Sequence, residues 1–340
     1  MRLPKIPRDN RPLREALIVG AVSVAGAATF FSAAFASTWW ARAIAVMLAS
    51  LTAIQIVLIF HDAMHESLFR SHHANRWVGR MIGAFYLTPY HFLQWSHLQH
   101  HQHAGRIEGD TELLHYTRAV ARTRRFGSFL AGLARFPLAP VLFAPALQLS
   151  HALGLFAISA SRRRRLLRDS VLDLALMVAV WTPLALALHA HGVLQAAMIF
   201  GFLCPFAVSM SLVYLAASPL HTGMASGSVA ERPVAERAFF VSRTVEVSWL
   251  GRLVFCNLSY HLEHHLYSHL PRWQLGAAAG VVRPALVRFA KAHALPLVIH
   301  PSYARYYVES FARVSRFNDI APHAVADANA CFTLVRSSCA

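Results

Sequence analysis

Residues 257–265 read NLSYHLEHH, a stretch that holds three histidines in the spacing H-x-x-H-H. The same spacing occurs once more, and a wider H-x-x-x-H pair lies nearer the N-terminus. The three histidine boxes comprise His61 and His65, then His97, His100 and His101, and finally His261, His264 and His265. On a helix, positions i, i+3 and i+4 share one face, so each box is expected to direct its imidazoles towards a common point.

These boxes contain eight of the 21 histidines in the chain. Neutral imidazole is a good ligand for iron, copper or zinc, and eight rings are too many for one tetrahedral zinc. The pattern therefore favours two metals that each keep an open position for a small molecule such as dioxygen. A single histidine is more often a packed or surface residue, but three boxes beside long apolar segments favour a metal site.

The composition indicates a membrane protein. The chain has 340 residues, of which 56% are hydrophobic and 14% charged, and its mean hydropathy is +0.41. Its net charge is +16, carried almost wholly by arginine, since Lys5 and Lys291 are the two lysines. Beside such apolar runs, this charge favours an anionic membrane surface over a nucleic acid. The cysteines, Cys204, Cys256, Cys331 and Cys339, have no paired spacing, so neither disulfides nor a thiolate metal site is expected.

Apolar runs long enough to cross a bilayer predict an all-α integral membrane protein with four spans. They cover residues 15–36, 38–60, 171–190 and 192–217. A basic tail with little structure, residues 1–14, precedes them. A secretory signal ending near Ala34 is the alternative for the first run, although it is long for one. Pro183 and Pro205 are expected to kink the spans that contain them.

The connecting segments predict interfacial helices and a helical cap. Residues 77–95 are interrupted by glycine and proline, which favours an interfacial or re-entrant segment. Residues 113–168 are interpreted as amphipathic segments on the membrane surface, with short helices dipping into the membrane as the alternative. A helix is expected at 274–292, and the last 25 residues are expected to be loosely ordered. We treat residues 15–340 as one domain whose cap comprises 61–170 and 218–340.

The distribution of cationic residues predicts the orientation. Five Lys/Arg lie in residues 1–14, fourteen in 61–170 and twelve in 218–340, whereas the short turns near 37 and 190 hold none. The positive-inside rule then puts both termini and all three boxes on the cytoplasmic side. We expect a multi-pass protein, most simply in a bacterial inner membrane.

The boxes HDAMH (61–65), HLQHH (97–101) and HLEHH (261–265) resemble those of membrane fatty acid desaturases and related di-iron oxygenases. The flanking residues 67–70, 109–112, 242–245 and 257–260 also fit that family's pattern. The resemblance implies two irons held by the eight box histidines. It further implies that His221 binds metal directly and that Asn257 reaches it through water.

The resemblance implies an O2-dependent acyl-lipid desaturase that introduces a double bond into an acyl chain. The chain carries no dinucleotide, haem or iron–sulfur motif, so an external electron donor of ferredoxin or cytochrome type is expected. Carboxylates near the boxes are expected to orient the imidazole rings, or to be ordinary surface charges or helix pairs: Asp62, Glu66, Asp110 and Glu263. His103 is expected just outside the ligand set, and His72, His73, His91 and His115 are expected at the surface or behind the ligands.

Two alternatives remain from the sequence. One is a carotenoid ketolase or another lipid hydroxylase of the same superfamily, because the same oxidant would serve it. The other is a transporter or receptor without chemistry. The predicted spans hold few polar residues beyond Gln55 and Asp173, near their ends, which disfavours a metal transporter.

Overall fold

The computed structural model describes residues 3–9, 11–104, 160–221 and 232–314. Four helices in these ranges are long and apolar enough to cross a membrane, which confirms the prediction of four spans. They are α1 (Pro12–Phe35), α2 (Trp39–Met64), α5 (Ala160–Ala190) and the segment Leu194–Ala217. The expectations for 113–159, for Asp110 and His115, and for residues 315–340 lie outside the described residues.

Two of the spanning helices extend beyond their apolar runs. Helix α2 continues past Phe60 to Met64, because the first histidine box is itself helical and carries the hydrogen-bond ladder onward. Helix α5 begins at Ala160, eleven residues before the predicted span, and includes the arginine run 162–165. Arginine is a good helix former, so a basic run favours continuing a helix rather than ending it.

The fourth span changes its helical pitch before Pro205. A turn at Leu194–Ala196 leads into the π-helical segment Ala197–Leu203, which is followed by α6 (Cys204–His221). The amide of Cys204 bonds to the carbonyl of Ile199, five residues back. Because Pro205 has no N–H, the ladder is interrupted at this point, and the wider turn accommodates the interruption.

The segment predicted at 77–95 consists of two helices, α3 (His72–Phe85) and α4 (Tyr90–His103). The Ser71 side chain accepts a hydrogen bond from the Ala74 amide and caps α3. Gly79 lies against the Tyr90 ring, where a Cβ would be 2.1 Å from the ring carbon Cε2. The Tyr90 hydroxyl donates to the Ala63 carbonyl over 2.9 Å, so this close packing holds the start of α4 against the end of α2.

A buried polar cluster joins α5 to α3 and α4. The Asp173 carboxylate accepts from the Arg80 Nε over 3.2 Å and from the His91 amide over 2.9 Å. The His91 Nδ1 lies 3.1 Å from the same carboxylate. Asp173 is therefore paired on three sides, which offsets the cost of burying its charge.

The cap is formed by short elements that follow the fourth span. They are α7 (Val234–Val241), β1 (Thr244–Val245), α8 (Trp249–Val254), α9 (His261–Leu266), α10 (Arg272–Ala292), β2 (Ile299–His300) and α11 (Tyr303–Val314). The helix predicted at 274–292 is confirmed as α10. The parallel pair of β1 and β2, with Thr244 opposite Ile299, adds a strand pairing to a chain predicted as wholly helical. The cap core packs around Phe239, Leu275, Val282 and Phe289.

Candidate metal centre

All nine histidines expected to bind metal come together at one place. Box one lies at the end of α2, box two in the last turns of α4, and box three forms most of α9. His221 is the last residue of α6. Four helices therefore contribute histidines to the same point, and the helical spacing of each box places its rings on one face.

Five of these imidazoles form a first group. One ring nitrogen of each member lies within 4.8 Å of those of all the others. The members are His61, His65, His97, His101 and His264. The Nε2 atom of His97 is 2.9 Å from that of His65 and 3.1 Å from that of His61. The Nε2 atoms of His264 and His101 are 3.1 Å apart. Box one, box two and box three all contribute to this group.

A second group contains His100, His221 and His265, again within 4.8 Å of one another. His261 adjoins it, because its Nε2 lies 2.7 Å from that of His221 and 3.2 Å from that of His265. The rings of His101 and His265 stack with their centroids 4.2 Å apart. Since His101 belongs to the first group and His265 to the second, the two groups are in direct contact.

Desolvation favours the neutral form of four of these rings. The pKa values of His65, His101, His264 and His265 are lowered well below the ordinary value, first by desolvation and then by the neighbouring imidazoles. A neutral imidazole has one N–H and one lone pair, so rings whose Nε2 atoms face each other cannot all be satisfied by one another. A cation at the shared point would accept the lone pairs together, so the residues present fit a metal ion in each group.

His221 shows how one ring is oriented. Its Nδ1 donates to the backbone carbonyl of Val241 over 2.7 Å, which leaves the Nε2 lone pair facing the second group. This contact comes from the end of α7 rather than from a carboxylate. It links the orientation of the His221 ring to the packing of the cap.

Asn257 lies beside box three in a left-handed backbone conformation, with φ of +64°. Its side-chain amide donates to the Arg272 carbonyl over 3.0 Å, and its Oδ1 would be 2.9 Å from a Cβ built at Gly276. These contacts attach the loop before α9 to α10. Binding of metal by Asn257 through water stays a prediction.

The carboxylates near the boxes connect helices. Asp62 is buried and bonds to the Arg272 Nη1 over 3.0 Å, whereas the His61 Nδ1 is 3.8 Å away, too far for a hydrogen bond. Glu66 is paired with His72 and, over 3.3 Å, with Arg76. Neither contact orients a ligand ring.

Glu263 lies within box three and is almost fully buried. It accepts a hydrogen bond from the Thr244 hydroxyl and lies 3.6 Å from the Arg283 Nε. Burial raises its pKa, opposed by the Thr244 hydrogen bond and the Arg283 charge. Glu263 thus anchors α9 to β1 and α10.

Sequence reasoning missed several residues that hold the histidine-bearing segments in place. The Gln94 side chain donates to the Met64 carbonyl over 3.0 Å and holds the end of box one against α4. Gln55, within α2, donates to the Val254 carbonyl over 2.6 Å and accepts from the Cys256 thiol. Arg272 follows box three in the segment Pro271-Arg272-Trp273 and bonds to Asp62. No spacing in the sequence connects these residues to partners up to 210 positions away.

The described structure defines a class of protein: an α-helical membrane protein whose helix ends build a histidine-only site able to hold metal. The comparisons with known proteins identify the family. A fatty acid desaturase family model matches residues 37–296, and the chain belongs to that family.

Two curated relatives are similar at low identity. The Delta(8)-fatty-acid desaturase 2 of Arabidopsis thaliana is 24% identical over 298 residues, which cover 81% of this chain and 64% of the relative. A probable fatty acid desaturase of Sorghum bicolor is 25% identical over 244 residues, which cover 67% of this chain and 60% of the relative. The chain therefore spans less than two thirds of the length of either relative.

Proposed function

We propose that this protein is a membrane-bound, di-iron, O2-dependent acyl-lipid desaturase. The observation that carries the proposal is the pair of adjoining imidazole groups within a chain of the desaturase family. The ligand set proposed for one iron is His61, His65, His97, His101 and His264. The set proposed for the other is His100, His221, His261 and His265, with Asn257 through water.

The proposed reaction needs a metal-based oxidant. An unactivated alkyl C–H bond is far too weak an acid for a side-chain base, so two irons would supply the oxidising chemistry when bound. The balanced step turns a –CH2–CH2– unit, O2, two electrons and two protons into a –CH=CH– unit and two waters. Two of the four electrons that reduce O2 come from the substrate, and two come from outside the chain.

The protein's part is to hold the metals and the acyl chain. An all-imidazole ligand set adds no negative charge, so the metals keep their full positive charge. The imidazole groups are partly buried and lie where helices α2 and α6 end, close to the apolar spans. An acyl chain that reaches this site from the membrane would remain in apolar surroundings, and tight walls would determine which carbons approach the metals.

The electron donor and the orientation are part of the proposal. We propose that an external ferredoxin or cytochrome delivers the electrons to a cytoplasmic face, in a bacterial inner membrane. The net charge of +16 supports an acidic donor, because complementary charge speeds association and aligns partners. Weakening of donor-dependent turnover by salt would support this part of the proposal.

Lipid analysis tests the function. Cells that express the protein with a suitable donor are compared with cells that express His264→Ala, a change in the first imidazole group. His189→Ala is the matched control, since His189 is exposed at the far end of α5. We expect an acyl product two mass units lighter in wild type and His189→Ala, and its absence in His264→Ala. A product that gains oxygen instead would identify a hydroxylase or carotenoid ketolase.

A further inference from the structure

The backbone ladder of α6 is interrupted just before the candidate ligand His221. Pro219 has no N–H, so the carbonyl of Leu215, four residues earlier, cannot receive the usual helical hydrogen bond. A proline within a helix also lets the turn beyond it change direction. Since His221 follows Pro219 by two residues, the helical ladder alone does not fix where its imidazole lies.

Two tyrosines of the C-terminal helix α11 bind this part of α6. The Tyr307 hydroxyl donates to the Leu215 carbonyl over 2.5 Å, so it supplies the hydrogen bond that Pro219 cannot make. The Tyr303 hydroxyl donates to the neighbouring carbonyl, that of Ala216, over 2.8 Å. The two tyrosines are four positions apart, so they lie on one face of α11 and reach successive carbonyls of α6 together.

The turn beyond Pro219 is held from the cap. The Arg243 amide donates to the Leu220 carbonyl over 3.1 Å. The His221 Nδ1 donates to the Val241 carbonyl, as described above. External hydrogen bonds therefore hold α6 on both sides of its proline, from α11 before it and from the segment between α7 and β1 after it.

Helix α11 is itself attached to the part of the cap that contacts box three. The strand that precedes it, β2, pairs with β1, and the Glu246 amide directly after β1 donates to the His300 carbonyl over 2.8 Å. On the other side of β1, the Thr244 hydroxyl donates to Glu263 in α9. The unit of β1, β2 and α11 thus connects the two helices that carry His221, His261 and His265.

We propose that Tyr303 and Tyr307 are positioning residues for His221, and that α11 thereby sets the geometry of the second imidazole group. The inference rests on the proposed metal centre and deepens it, because it specifies what aligns one of the ligands. Both tyrosines act through the backbone of α6 and not through the metal. They also lie beyond residues 37–296, which the family model matches.

Metal titration tests this role. The metal-free, full-length protein in nanodiscs is titrated calorimetrically with Co2+, as wild type and as Tyr303→Phe with Tyr307→Phe, which keeps both rings and removes both hydroxyls. Loss of a group that orients a metal ligand lowers affinity by roughly 10–100-fold. The double variant should therefore bind one of two Co2+ ions at least about tenfold more weakly and the other unchanged. Tyr307→Phe alone should have the larger effect of the two, because Leu215 has no helical N–H to replace it.

Two controls separate positioning from general damage to the cap. Tyr306→Phe removes a hydroxyl from the same helix, but the Tyr306 ring packs under the Arg243 guanidinium, 5.3 Å away, and beside the His300 ring, 5.7 Å away. This variant should leave both Co2+ affinities unchanged. In a His221→Ala background, the two Tyr→Phe changes should cause no additional weakening, because the ring that they position is gone.

Several results would overturn the inference. They are wild-type affinities in the double variant, equal weakening of both sites, the same weakening in Tyr306→Phe, and additional weakening in the His221→Ala background. The titration does not require turnover. A protein that binds two Co2+ ions without desaturating lipid would refute the desaturase proposal alone, whereas wild type that binds fewer than two would refute the paired metal centre and this inference together.

Discussion

Replacing Arg272 by methionine should destabilise the protein strongly, because it leaves a buried carboxylate without its partner. The Arg272 Nη1 lies 3.0 Å from the Asp62 Oδ2, and the two side chains are 6% and 3% exposed. Breaking a buried pair from one side costs about 3–5 kcal/mol. At roughly 2 °C for each kcal/mol in a large domain, the midpoint of thermal unfolding should fall by about 6–10 °C.

Two further variants make this prediction specific. Arg168→Met removes an arginine whose side chain is 79% exposed beside Asp169, and such surface pairs contribute about 0–1 kcal/mol. The double variant Asp62→Leu with Arg272→Met removes both charges, so it should be more stable than Arg272→Met alone.

The assay is thermal unfolding in detergent, at equal metal content, followed by the loss of monodisperse protein on size-exclusion chromatography. The reasoning is refuted if Arg272→Met unfolds at the same temperature as Arg168→Met. It is also refuted if the double variant is less stable than Arg272→Met, because the destabilisation would then not come from an unpaired carboxylate.

Three more predictions follow from the described geometry. Gly79→Ala should lower the unfolding temperature, because the added Cβ would overlap the Tyr90 ring. Gly280→Ala is the control: its Cβ would meet no atom within 4 Å, and the change should stabilise α10 by about 0.5–1 kcal/mol. Thermal unfolding of both variants checks this. His264→Ala should lower the iron content while His189→Ala leaves it unchanged, and elemental analysis that found equal iron in both would contradict the first imidazole group. The metal-free protein should lose stability as the pH falls below about 6.5, because the unfolded chain then takes up protons that the folded chain excludes. Each imidazole with a lowered pKa should contribute a loss of up to about 1.4 kcal/mol per pH unit. An unfolding temperature that stays the same between pH 7.5 and pH 5.5 would contradict this expected loss of stability.

Local pattern was sufficient for the spans and for the candidate histidines of each box. A run of about twenty apolar residues has few alternatives to a membrane-crossing helix, and the H-x-x-H-H spacing is already that of one helix face. The four spans and the shared helix face within each histidine box therefore followed from residues close together in the chain, whereas the meeting of the three boxes depended on the tertiary structure. His221 depended on the family resemblance, because an isolated histidine at a helix end has no spacing to identify it.

Pairings between distant residues were decided by the tertiary structure. The Asp62 carboxylate was expected either to orient a ring or to be an ordinary surface charge or helix pair, and the fold pairs it with Arg272 from 210 positions away. The carbonyl of Val241, and not a carboxylate, bonds to the His221 ring. Such contacts depend on how helices pack, and a backbone carbonyl is present at every position, so no residue type marks it in advance.

The amino-acid sequence by itself determined the membrane class, the spanning segments and the identity of the histidines, because hydropathy and helical period are local properties. Only the tertiary structure decided how the nine imidazoles divide into two adjoining groups, which polar residues hold them, and that α11 returns to the end of the fourth span. The physical reason is that metal-binding geometry arises from the relative placement of several helix ends, and this placement is determined by the packing of the whole cap against the spans.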